Sequence, residues 1–240
     1  MKKYAISFAN ERYFKSLISL QDTMTMIGNV DEYIPYSQEW LKKEPFWNKN
    51  SYILTQPRGA GYWIWKPYII LKTMALMEEG DIVLYTDAGV TPLQDLQPLY
   101  DLAEKNEKII FQNAGHNNKT WTKRDCFVLM NCDEKKYWDG MQVTATFSLW
   151  KKTVSNIEFL TEYQRYLRDS RIVTDDPNMA GRANFFEFKD HRHDQSVLSL
   201  MAIKYGIELF RDPSQFGIEM MSKFPNSTYP QMFDHHRRNQ

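Results

Sequence analysis

Gly80-Asp81-Ile82-Val83-Leu84-Tyr85-Thr86-Asp87-Ala88-Gly89 is the stretch that decides the fold. Ile82, Val83 and Leu84 form a short apolar block bounded by glycines, the pattern of a strand buried on both faces. Asp87 falls where such a strand leaves its sheet. In open α/β sheets, ligands bind beyond the carboxyl ends of the strands. A carboxylate there, followed by small residues that let a ligand approach, suits a cation and a phosphate.

Outward from this strand, helical and extended patterns alternate. Tyr4 to Ala9 reads as a first strand and Phe14 to Ile27 as a helix stopped by Gly28. A short strand near Tyr33 to Tyr36 follows, and Tyr52-Ile53-Leu54 is a further extended candidate. Pro67 stands at a favoured first-turn position of a helix in which Ile70, Met74 and Met77 share a face and which Gly80 stops. Beyond the central strand come a helix over Leu99 to Glu104 and a strand over Lys108 to Gln112. Thr122-Lys123-Arg124-Asp125 has the form of a capping box with Asp in place of Glu. Gln142 to Trp150 alternates as a strand, and Val154, Ile157, Leu160 and Leu167 mark an amphipathic helix. Residues 171–190 read as a loop, Asp194 to Tyr205 as a helix ended by Gly206, Ile207 to Phe210 as a strand, and the tail after Pro213 as irregular. The alternation predicts an α/β fold with a mostly parallel central sheet. No repeat or linker interrupts it, so residues 1–240 read as one domain.

Composition narrows the function. Thirty basic residues balance thirty acidic ones, which argues against a dedicated nucleic-acid binder, since that would carry a basic excess. Cys126 and Cys132 are too few for a disulfide framework and read as reduced thiols. The N-terminus runs straight into a strand, with neither a signal-peptide core nor a spanning apolar segment, so a cytoplasmic chain, at most peripheral to a membrane, is expected. Aromatics make up 15% of the chain, enough to line a sugar or base pocket as well as fill a core.

Two common phosphate motifs are missing. No Gly-x-Gly-x-x-Gly follows the first strand, and no P-loop ending in Gly-Lys-Ser/Thr occurs. An acidic strand tip in an α/β domain lacking both leaves nucleotide-sugar transfer as a natural chemistry, with a carboxylate-held divalent metal neutralising the departing diphosphate. Lys66 opens the helix that leads into the Asp87 strand, and a cation there reaches phosphate or sugar or is simply solvated. Trp63 and Trp65 flank Ile64, one to pack under a sugar, at least one to fill the core. Arg58 with Gly59 and Gly61 suggests a loop that lets backbone approach a ligand. Asp194 is placed to cap the following helix or to act as a general base; the two roles are compatible. His191 and His193, one residue apart, suit loop hydrogen bonding better than shared metal ligation.

Arg58-Gly59-Ala60-Gly61-Tyr62-Trp63-Ile64-Trp65-Lys66-Pro67-Tyr68, Tyr85-Thr86-Asp87-Ala88-Gly89, His191-Arg192-His193-Asp194-Gln195-Ser196 and the terminal His235-His236-Arg237-Arg238 together resemble a group of GT-A-fold glycosyltransferases. That group occurs in bacterial surface-polysaccharide loci and in large DNA viruses of algae. The resemblance runs from Ile6-Ser7-Phe8-Ala9 to the basic tail, and its first string is long and specific. The usual Asp-x-Asp metal motif is Asp87-Ala88-Gly89 here, without the second carboxylate.

The resemblance implies a hexosyltransferase of polysaccharide biosynthesis, with a nucleotide diphosphate sugar as donor, UDP the first choice of nucleotide, and a glycan or glycoprotein as acceptor. It places the base and ribose at Ser7, Phe8 and Ala9, and the diphosphate sugar at Arg58, Trp63, Lys66, Asp87, Ala88 and Gly89. Mn²⁺ or Mg²⁺ falls to Asp87 with His235 or His236, Arg237 supplies counter-charge, and Asp194 and Gln195 are the catalytic candidates. Arg124 and Asp125 open a helix toward the acceptor. Two competing readings remain at this point: a catalytically weak scaffold or binding protein of the same fold, and a sugar-diphosphate hydrolase, which needs more carboxylates near Asp87 than the chain offers.

Overall fold

The computed structural model describes residues 1–237; Arg238 of the basic tail lies outside the described residues. Six strands form the main sheet: β1 (Lys3–Ala9), β2 (Glu32–Ser37), β3 (Ile82–Thr86), β5 (Lys108–Asn117), β6 (Met141–Lys151) and β7 (Leu209–Arg211). Their order is β2-β1-β3-β6-β5-β7. β6 runs antiparallel to both of its neighbours, and the pairs β1/β2, β1/β3 and β5/β7 are parallel. Five of the six strands therefore point one way, the mostly parallel α/β sheet expected. β4 (Thr91–Pro92) and β8 (Phe233–Asp234) form a small second sheet.

β3 is buried along its whole length. Alternation divides its side chains: Val83 and Tyr85 enter one core, Ile82 and Leu84 the other. The first core is covered by the helices Trp65–Met74, Val154–Leu167 and His193–Lys204, the second by Phe14–Met26 and Gln97–Asn106. This three-layer arrangement is why the central strand carries no polar residue until its tip. Cys126 and Cys132 are free and buried.

Several local expectations change. Tyr52-Ile53-Leu54 is helical, within Ser51–Leu54; three apolar residues do not fix a period. The helix carrying Pro67 starts at Trp65, so Pro67 sits within the first turn, where its missing N–H costs nothing; the helix ends at Met74, well before Gly80. Thr122 makes no capping bond to the helix Arg124–Leu129; its hydroxyl instead accepts from Gln142. Residues 171–190 include the end of a helical turn, Ser170–Val173. The tail is ordered by a 3₁₀ segment, Gln215–Lys223, and by β8. Among the described residues no helix is long and apolar enough to cross a membrane.

Candidate active site

Parallel β1 and β3 deliver their last residues to the same sheet edge, and there a cavity of about 510 Å³ opens. Phe8 and Ala9 from β1, Asp87, Ala88 and Gly89 beyond β3, Asp194 and Gln195 from the start of a helix, and Arg58, Trp63 and Lys66 all line it. Asp87 is fixed by two bonds: its N–H donates to Thr146 O at 2.9 Å, and its Oδ1 accepts from the Tyr85 hydroxyl at 2.5 Å. Burial, and then the Asp87 charge, push the Tyr85 phenol well above its ordinary pKa, so it remains a donor.

Lys66 is buried, only 5% exposed. Its Nζ donates to Ala145 O at 2.9 Å and lies 2.9 Å from Asp194 Oδ2 and 3.3 Å from Asp87 Oδ1. The approach to Asp194 Oδ2 is off the hydrogen-bonding axis, leaving an ion pair there. Burial draws the ammonium pKa down, but the two carboxylates outweigh it and the net direction is up. Asp194 also shifts up, but there burial wins: it lifts the carboxyl to about 6, against the pull of Lys66. The Asp194 carboxylate does not cap its helix, which begins at His193; it belongs to Lys66.

The segment before Lys66 is wound left-handed. Gly59, Ala60, Gly61, Tyr62 and Trp63 have φ of 58°, 50°, 95°, 52° and 59°. Tyr62 N–H donates to Arg58 O at 2.7 Å and Trp63 N–H to Gly59 O at 3.2 Å, closing a left-handed turn. Trp65 Nε1 braces it on Gly59 O at 3.0 Å. A Cβ on Gly59 would meet the Trp63 ring at 2.3 Å. Left-handed backbone costs roughly 1–2 kcal/mol per L-residue, so such a turn persists only where tertiary contacts over-determine it. Here it sets Trp63 nearly parallel to the buried His193, centroids 5.7 Å apart.

Arg58 lines the cavity, but its guanidinium is already committed: it bridges Asp175 at 3.1 Å and Asp190 at 2.6 Å. Asp125 accepts from Met179 and Ala180 N–H, and Lys123 Nζ donates to Thr174 and Asp176 carbonyls. The 174–190 loop is thus pinned from three sides. His191 and His193 hydrogen-bond to Ile172 O and Val173 O, as loop ties.

The tail crosses the Asp87 loop. Arg237 N–H donates to Gly89 O at 2.9 Å, and a Cβ on Gly89 would lie 3.0 Å from Arg237 Cα. Gln215 holds both the N–H and the C=O of His235. The His235 ring enters the cavity lining with Nδ1 buried and lacking a hydrogen bond, and burial lowers its pKa to about 4. It is a neutral imidazole at pH 7, the form that ligates metal. Asp87 and His235 both line the cavity, and His235 Nε2 accepts from Arg237 Nε at 3.3 Å, a bond that a metal on this nitrogen would have to replace. Among the described residues no group of three or more His, Cys, Asp or Glu makes a metal cage. His236 Nε2 bonds Thr91 Oγ1 at 3.2 Å, outside the lining. Ser7 also lies outside it, buried and bonded to Thr86 Oγ1 at 2.9 Å beneath Phe8 and Ala9.

Sequence reasoning did not single out Arg12 and Arg192, which also line the cavity. Arg192 lies 4.3 Å over the Trp121 ring, and its buried Nε has no partner. The signal was present in part, since Arg192 sits inside the His-Arg-His-Asp-Gln string. Among the described residues Arg12, Arg192 and Arg237 form no ion pair with a carboxylate, while Lys66 and Arg58 are both compensated.

No family model and no curated protein matches the chain. Among solved structures it is similar to mouse xyloside xylosyltransferase 1 in its apo form, at 8% identity and TM-score 0.51, covering 100% of this chain and 99% of that one. It is also similar to a glycosyltransferase involved in the glycosylation of the major capsid of PBCV-1, at 12% identity and TM-score 0.50, covering 98% and 94%. At such identities the likeness speaks to the backbone: the chain has a GT-A-like α/β fold.

Proposed function

We propose that the chain is a glycosyltransferase that moves a hexose from a nucleotide diphosphate sugar, UDP-linked by first choice, to a glycan or glycoprotein acceptor. The observation that carries this is the charge balance of the cavity. Five basic side chains, Arg12, Arg58, Lys66, Arg192 and Arg237, line it against two carboxylates, Asp87 and Asp194, and among the described residues Arg12, Arg192 and Arg237 pair with no carboxylate. That basic excess suits a diphosphate beside Asp87.

In this reading Asp87 and His235 would hold Mn²⁺ or Mg²⁺, which when bound neutralises charge on the leaving diphosphate. Arg237 and Arg12 meet phosphate oxygens. Lys66 does not contact phosphate; it keeps Asp87 and Asp194 ionised and fixed. Asp194 takes the acceptor proton if the transfer inverts, or with Gln195 faces the positive charge that develops at the anomeric carbon if it retains. The pinned 174–190 loop and the tail over Gly89 exclude water from the donor.

The test is a thermal-shift panel of nucleotide sugars with Mn²⁺, repeated with EDTA, followed by titration calorimetry with UDP. Stabilisation by one nucleotide sugar class, lost with EDTA and in Asp87→Ala, supports the reading. No heat and no shift would leave a scaffold of the same fold.

A further inference from the structure

Gln142, on β6, is buried at 0% exposure and does not line the cavity. Its amide nitrogen lies 3.1 Å from Trp121 O, 3.1 Å from Thr122 Oγ1 and 3.2 Å from Ser196 Oγ. Trp121 O is a backbone carbonyl and accepts only. The Ser196 hydroxyl donates to that same carbonyl at 2.8 Å, so it too offers a lone pair to Gln142. Only an NH₂ satisfies this corner, which settles which end of the Gln142 amide is nitrogen. Its Oε1 therefore faces the other way, 2.6 Å from the Gln195 side chain. An oxygen there demands a donor, so Gln195 turns its own nitrogen inward. That leaves Gln195 its second N–H and its carbonyl oxygen, and the oxygen is on the side of the amide turned away from Gln142.

We infer that Gln142 is a positioning residue that fixes the polarity of Gln195, so that an amide oxygen and not an amide nitrogen faces the reacting sugar. This rests on the transferase reading. The polarity matters because an amide oxygen accepts a sugar hydroxyl and favours positive charge at a nearby carbon, whereas an NH₂ opposes it. Two links, the first anchored on backbone and the second between side chains, thus carry orientation from Trp121 O to the cavity wall. A free glutamine would be able to flip.

The experiment is a double-mutant cycle of Gln142→Met and Gln195→Ala, read as kcat and KM for nucleotide-sugar turnover. Gln142→Met is expected to lower kcat about 100-fold with KM changed little, since misplacing a reacting-site group costs on this order. In the Gln195→Ala background it is expected to cost less than about twofold more, because it acts through Gln195. Thr122→Val, which removes one of three acceptors, stays near wild type. An unchanged kcat in Gln142→Met, or an equal loss in both backgrounds, overturns the inference.

A second arm needs no variant and no substrate. In ¹⁵N-labelled wild-type protein, the Gln195 carboxamide is expected to show one exchange-protected proton. Two freely exchanging protons there overturn the inference even if the enzyme is active. If no nucleotide sugar is turned over, the transferase reading fails, and this arm still decides the role of Gln142.

Discussion

Lys66 Nζ sits 2.9 Å from Asp194 Oδ2, and this ion pair joins the first turn of one helix to the first turn of another. Without the ammonium the Asp194 carboxylate would be buried and uncompensated, a situation that drives a carboxyl to stay protonated. In the wild type, turnover is expected to rise with pH through about 6 as Asp194 ionises. Lys66→Met is expected to move that acid limb to higher pH and to lower the plateau by at least about 100-fold. A pH–rate profile checks it. An acid limb left in place by Lys66→Met would remove Asp194 ionisation from the explanation.

The buried imidazoles give stability its own pH dependence. Burial chiefly lowers His193 to about 4 and His191 well below its ordinary value of 6.5. Between about pH 4 and 6.5 the unfolded chain then binds more protons than the folded one, and stability rises with pH. Asp194 runs the other way: its folded value, raised to about 6, makes ionisation cost stability as pH rises from about 4 to 6. The imidazoles outnumber it, so the net slope is positive, with about 1.4 kcal/mol per pH unit for each net proton. Urea titrations from pH 4.5 to 7.5 measure this, and His193→Gln should flatten the curve.

Asp87→Ala is expected to leave the ligand-free melting temperature within a few degrees, since the carboxylate is partly exposed and gives up one phenol bond and one of the two ion pairs of Lys66, which keeps Asp194 as its counter-charge. The same variant should lose the gain in melting temperature produced by UDP with Mn²⁺. A retained gain would move the cation elsewhere.

Gly89→Asp restores the second acid of the usual motif, yet it is expected to weaken the site. The new Cβ would lie 3.0 Å from Arg237 Cα and 3.5 Å from its N and C atoms, all backbone. The tail backbone must give by a few tenths of an ångström, which strains the Gly89–Arg237 bond. Faster trypsin cleavage near the C-terminus, with weaker Mn²⁺-dependent UDP binding, is the expected pair of results; tighter metal binding with a protected tail is the opposite one.

Arg58→Lys is expected to behave nearly like Arg58→Ala. A single ammonium cannot span Asp175 and Asp190 as the planar guanidinium does. Limited proteolysis within 174–190, and a raised KM for donor, report the loosened loop.

The central strand and its acidic tip were legible because both faces of β3 are covered, which forces an unbroken apolar run. The cavity residues Phe8, Ala9 and Asp87 follow from that, since parallel strand ends on one edge must meet; Lys66 and Asp194 stand at helix starts and were legible only through their motifs. The direction of β6 was not legible, because strand polarity is set by partners far away in the chain. Nor was the partner of Asp194: its carboxylate chooses between a local N–H and a distant ammonium, and only the folded distance decides. Arg58 reads as a ligand cation in a string of glycines until Asp175 and Asp190 arrive from another segment. Arg12 carried no pattern at all.

The backward-wound turn at 59–63 changes how the specific string should be understood. Five of its eleven letters serve chirality: two glycines permit a hand that L-residues resist, and the indole of Trp63 occupies the room that a methyl at Gly59 would claim. Cavity-lining side chains such as Arg12 or Arg192 can be exchanged one position at a time. The turn admits no such piecemeal revision, and it is inherited whole or rebuilt.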